Sequence, residues 1–119
     1  MLLVVPDAGL SELLTSSVLL LQIWPAAVLD VQMLITVLRM SVPSLSEALA
    51  TGMVTLMSPV NGGAFNLLVL ESRGVRLLAL AQTEDGEAVR APHEHLATVT
   101  RLEVFDVQAE GLSALRLAG

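Results

Sequence analysis

Cysteine, lysine and tyrosine are absent from this chain, and its aromatic content is one tryptophan and two phenylalanines. Without cysteine there are no disulfides and no thiolate zinc sites, and nothing in the sequence reports a redox compartment. Without lysine, the six basic residues are all arginines (Arg39, Arg73, Arg76, Arg90, Arg101 and Arg116). No side chain is therefore available for the lysine of a phosphate-cradling loop, and Asn61-Gly62-Gly63 lacks the spacing of one, which argues against nucleotide hydrolysis. Positive charge is scarce overall: the formal balance is −6. Such a chain repels a phosphate backbone, so nucleic acid is not an expected partner.

What is present is apolar. Hydrophobic residues make up 54% of the 119 residues and charged ones only 15%, with a mean hydropathy of +0.73. The length fits a single domain over residues 1–119, and one core of that size hides less apolar surface than this chain carries. The surplus points to subunit contacts rather than to a membrane. Ser17 to Leu38 has the length and hydropathy of a membrane span, but Pro25, Asp30, Gln22 and Gln32 interrupt it, and two buried strands are the expected reading. Met1 to Pro6 lacks the basic and apolar regions of a secretion signal.

The clearest organisation lies between Phe65 and Val107. Phe65 to Glu71 and Val75 to Gln82 are runs of strand formers separated by Ser72-Arg73-Gly74, whose glycine suits a tight reversal. Thr83-Glu84-Asp85-Gly86 is a second turn. In the run from Thr98 to Val107, Arg101 and Glu103 alternate with Leu102 and Val104, the period of a strand with one wet face.

Elsewhere, Asp7 is placed to cap a short helix over about Ala8 to Ser16, where Leu10, Leu13 and Leu14 recur at helical spacing. Val18 to Trp24 reads as a buried strand ended by Pro25. Val28 to Met40 fits two templates. Val31, Met33, Ile35 and Val37 alternate as in a strand, while Val28, Val31, Leu34, Ile35 and Leu38 would stripe a helix; the β-branched content favours strand. Ser44 to Glu47 has capping-box spacing for a helix of one or two turns that Gly52 ends. Met53 to Met57 is a strand candidate, Ser58 to Gly63 a loop, Gln108 to Gly111 a turn and Leu112 to Leu117 a closing strand. The expected fold is mainly β: an antiparallel sandwich or barrel of six to eight strands with one or two short helices.

Few residues suggest chemistry. His93-Glu94-His95 is a cluster of metal-ligand types, and on an extended segment the two imidazoles share a face, but no third ligand is identifiable and a polar loop is the simpler reading. Glu84, Asp85 and Glu87 lie on a turn, where acids are expected for solubility. No serine stands in a Gly-x-Ser-x-Gly setting, and neither histidine has a triad-like acid nearby. Trp24, Phe65 and Phe105 are expected in the core, with Trp24 at a strand end as a lesser candidate for an interface anchor. No catalytic, cofactor-binding or metal residues are therefore assigned, and no cofactor is expected.

Two resemblances carry the functional expectation. Val5-Pro6-Asp7-Ala8-Gly9-Leu10, leading into Leu13-Leu14, is similar to the start of small virion proteins of tailed bacteriophages. The strand, small-residue turn and strand of Phe65 to Leu70, Ser72-Arg73-Gly74 and Leu77 to Ala81, followed by a polar turn and a long strand, resemble the same group. That resemblance implies a non-enzymatic β-structure that decorates heads or builds tails. It would assemble in the host cytoplasm in multiple copies and with other virion subunits, without nucleic acid, membrane or small-molecule substrate. The second is to the N-terminal substrate-recognition domain of Lon-type proteases, carried by Leu77 to Gln82, His95 to Val104, Glu110-Gly111 and Leu115 to Gly119. It implies a module that binds unfolded polypeptide.

Overall fold

A computed structural model describes residues 1–40, 44–57 and 65–114. Its centre is one open, mixed sheet. The strands are β1 (Leu2–Val4), β2 (Thr55–Leu56), β3 (Leu67–Ser72), β4 (Val75–Gln82), β5 (Arg101–Ala109) and β6 (Leu112–Ser113). They run in the order β1-β5-β4-β3-β2, with β6 also on β5; β1 is parallel to β5 and the other pairings are antiparallel. Four α-helices accompany it among the described residues: α1 (Ala8–Thr15), α2 (Ser17–Ile23), α3 (Val28–Met40) and α4 (Leu45–Ala50).

The fold is therefore α/β with an open sheet, not the mainly β sandwich or barrel that the sequence suggests. Two segments make the difference. Val18 to Trp24 is not a strand: Ser16 caps α2, accepting from the Leu19 amide at 3.3 Å, and Pro25 stops it by forcing Trp24 out of helical geometry. Val28 to Met40 is not a strand either, but a helix whose buried side is Val31, Leu34, Ile35 and Leu38. The rotamer penalty of β-branched residues in a helix is a few tenths of a kcal/mol each, whereas each of these buried side chains contributes roughly 1.5 to 3 kcal/mol. The stripe outweighs the propensity. No helix among the described residues is long and apolar enough to cross a membrane.

The elements expected nearer the ends and centre of the chain are present. Asp7 caps α1, taking the Leu10 amide at 2.7 Å. Ser44 occupies the N-cap of α4, yet its hydroxyl makes no capping bond, so the expected capping box is not formed. Arg73 and Gly74, at φ of 51° and 83°, form the tight β3–β4 turn, and Glu110 and Gly111 repeat that geometry between β5 and β6. The Met53 to Met57 strand shrinks to β2, and the closing strand is described only as β6. The loop at Ser58 to Gly63 and the run Leu115 to Leu117 lie outside the described residues. After the Thr83 to Gly86 turn, Ala88 bridges back to Gln82, and two 3-10 turns, Pro92–Glu94 and Leu96–Thr98, lead to β5.

One hydrophobic core fills the space between the helices and one face of the sheet. Leu10, Leu13 and Leu14, Leu20, the α3 stripe, Leu45 and Ala48 meet Leu68, Leu70, Val75, Leu77, Ala79, Ala81, Leu102, Val104, Val107 and Ala109. Trp24 lies in this core, fully enclosed, and so is not an interface anchor.

Candidate functional site

The register of the sheet decides what its other face carries. Across β3, β4 and β5, Glu71 pairs with Arg76 and Arg76 with Gln108; Val69 pairs with Leu78 and Leu78 with Asp106; Leu67 pairs with Leu80 and Leu80 with Glu103; Gln82 pairs with Arg101. β1 adds Leu2 beside Arg101 and Val4 beside Glu103. Side chains alternate between the faces of a sheet, so these residues share the face opposite the core. Its middle is apolar, formed by Leu67, Val69, Leu78, Leu80, Phe105 and Val4. None of these six belongs to the core or packs against it.

The rims of this face are charged. At one end the Glu71 carboxylate accepts from Arg76 Nε at 3.2 Å. At the other, the Glu103 carboxylate accepts from the Gln82 amide at 2.7 Å, and Arg101 Nε is buried with no hydrogen-bond partner. Two arginines thus stand against three carboxylates (Glu71, Glu103, Asp106), so the face is close to neutral in a chain of net charge −6.

Asp106 is the buried charge of the face. Pairing slips between Leu78 and Ala79, which leaves Phe105 as an extra residue in β5. That bulge lets Val104 and Val107, three positions apart, both turn into the core, and it brings Phe105 and Asp106 to the outer side. The Asp106 carboxylate is enclosed at 3% exposure and accepts from the Val107 amide (2.9 Å), the Ser113 hydroxyl (2.6 Å) and the Gln108 amide (3.3 Å). It ties the short β6 to β5. Beside it, an open cleft of about 500 Å³ runs between the two hairpin turns, lined by Glu71, Gly74, Arg76, Gln108, Leu112 and Ser113.

The candidates for chemistry do not come together. His93 sits in a 3-10 turn rather than an extended segment, its Nε2 lies 3.0 Å from the Met57 carbonyl oxygen, and His95 is exposed. Among the described residues no three potential metal ligands cluster. Glu84, Asp85 and Glu87 lie on the turn that Thr83 organises, its carbonyl accepting from the Gly86 amide and its hydroxyl from the Glu87 amide. Phe65 and Phe105 are not core residues: Phe65 is 56% exposed under the Arg90 guanidinium at 4.9 Å, and Phe105 is half-buried on the outer face.

The apolar outer face carries a signal in the sequence. Leu67 to Leu70 and Leu77 to Ala81 are unbroken apolar runs, which give a strand two apolar faces. Asp106 has only a faint signal, a lone acid between Phe105 and Val107 that interrupts the strand pattern. Compared with models of protein families, with curated proteins and with solved structures, the chain matches none.

Proposed function

We propose that this chain is a non-enzymatic structural subunit that works by assembling in multiple copies, and with other subunits, through apolar surface. The observation that carries this reading is the middle of the outer sheet face, where Leu67, Val69, Leu78, Leu80, Phe105 and Val4 stand apart from the core. Apolar area left in water costs roughly 25 cal/mol per Å², and contiguous patches of this kind are covered by partners in most folds that keep them. The acidic, lysine-free composition turns nucleic acid away, so protein is the partner that the chemistry favours. The resemblance to tailed-phage virion proteins suggests the class of assembly, a head decoration or a tail part.

The test is the mass of the purified chain by sedimentation equilibrium across the micromolar range, followed by co-assembly with capsid and tail proteins. Reversible self-association and incorporation into particles are expected. A monomer at every concentration, joined to selective capture of denatured polypeptide, would replace this reading with that of a substrate-recognition module of the Lon type.

A further inference from the structure

The helices have an outer side as well as the inner one that covers the sheet, and it too is apolar. We propose that two copies of this chain meet through that side, with the α2 and α3 layer of one copy laid on the same layer of the other. The proposal deepens the assembly reading, on which it rests, and places a contact across the core from the outer sheet face.

α3 is striped twice. Val31, Leu34, Ile35 and Leu38 turn into the core, while Leu29, Met33, Thr36 and Met40 recur at intervals of four, three and four on its exposed side. That is the spacing of the a and d positions in a seam between helices, so a second helix, rather than a loop or a strand, is the occupant it fits. α2 widens the seam on one flank: Gln32 Nε2 donates to the Ser17 hydroxyl at 2.8 Å, which holds the start of α2 beside α3, and Val18 and Leu21 are exposed there. Elsewhere along the stripe, Met53 joins Met33 in lining a single cleft. No charged residue occurs between Glu12 and Asp30, so α2 is uncharged throughout, the composition of an enclosed helix.

Two observations make that second helix one from another copy. The first is area. Val18, Leu21, Leu29 and Met40 are 58% to 77% exposed, and Met33 and Met53 are 36% and 46% exposed. Six large side chains open to this degree offer roughly 100 Å² each, or about 1,200 Å² for two copies before any polar neighbour is added, which reaches the range of specific interfaces. The second is charge. In a chain of net charge −6 most surfaces of two copies repel, but the seam positions and α2 carry no charge, so a two-fold pairing stacks no like charges at its centre in any register. An uncharged face also offers nothing that selects an unlike partner by sign, and neither the seam nor α2 has the basic residues that hold an interfacial helix on lipid.

The experiment uses the full chain. Leu80→Asp takes the outer sheet face out of play, and that variant is expected to remain a reversible dimer by sedimentation equilibrium. Val18→Asp or Leu29→Asp, added to it, is expected to weaken the dimer about 100-fold. Both positions lie in the first turn of a helix, where an acid is favourable, so the fold is kept. The native chain lacks cysteine, so a short bismaleimide reacts only at an introduced thiol: Met33→Cys, within the seam, is expected to yield a covalent dimer, and Glu84→Cys, on the turn after β4, to remain monomeric. This second arm holds even where Leu80→Asp fails to fold. A native chain that associates while Leu80→Asp alone is monomeric, an unchanged mass on adding Leu29→Asp, or cross-linking no more efficient at position 33 than at 84 would overturn the helical contact and leave the assembly reading standing. A native chain that is monomeric throughout overturns the contact too, and capture on phosphatidylcholine vesicles that Leu29→Asp abolishes would give the face to a lipid surface instead; in both cases incorporation into particles decides the assembly reading by itself.

Discussion

Asp106 shows how much one side chain can organise. A carboxylate enclosed to this degree persists because its hydrogen bonds are satisfied, here by Val107, Gln108 and Ser113. Replacing it with alanine leaves the Ser113 hydroxyl and the Val107 amide without this acceptor and unpins β6. Asp106→Ala is expected to lower unfolding stability by about 1 to 3 kcal/mol, read from the urea midpoint. Asp106→Asn, which keeps the acceptor oxygen but cannot receive all the same donors, is expected to fall between. A midpoint unchanged in Asp106→Ala would mean that the bulge holds without its carboxylate.

At the scale of the element, the helices differ in how they begin. Asp7 holds the Leu10 amide at 2.7 Å, while Ser44 stands at the start of α4 without a side-chain bond to it. Asp7→Ala is therefore expected to destabilise the protein by about 1 kcal/mol, and Ser44→Ala to cost less through helix capping. Thermal melts of the two variants side by side check the order, and equal losses would contradict it. The strands differ too. β3 and β4 are apolar on both faces, whereas β5 alternates until its bulge. The bulge is what keeps β5 in phase with the core over its whole length, since a regular strand would send Val107 outward.

For the molecule as a whole, one face of the sheet builds the core and the other stands apart from it, so the assembly proposal predicts that stability and association are separable by mutation. Leu102 is fully enclosed between sheet and helices, so Leu102→Ala is expected to cost about 2 to 5 kcal/mol of stability. Leu80 is half-buried on the outer face and outside the core, so Leu80→Ala is expected to change the unfolding midpoint of dilute protein little while weakening self-association. Urea unfolding at low concentration, set beside sedimentation at high concentration, measures both. A large loss of stability in dilute Leu80→Ala would mean that the outer face is part of the chain's own core.

The sequence by itself determined the features that depend on neighbours along the chain: the Asp7 cap and the helix after it, the glycine-bearing turn at Arg73-Gly74, the exact β4 run from Val75 to Gln82, and an apolar content larger than one core absorbs. The tertiary structure decided what depends on distant partners. Val18 to Trp24 and Val28 to Met40 are apolar enough for either strand or helix, and the choice fell to helix because a sheet face formed by residues 67–109 needed covering, a contact that no local propensity encodes. The same holds for β1, whose three residues become a strand by lying parallel to β5 about a hundred positions away, and for Asp106, whose burial follows from a slip in pairing between β4 and β5. Local patterns set which backbone shapes are affordable; long-range packing selects among them.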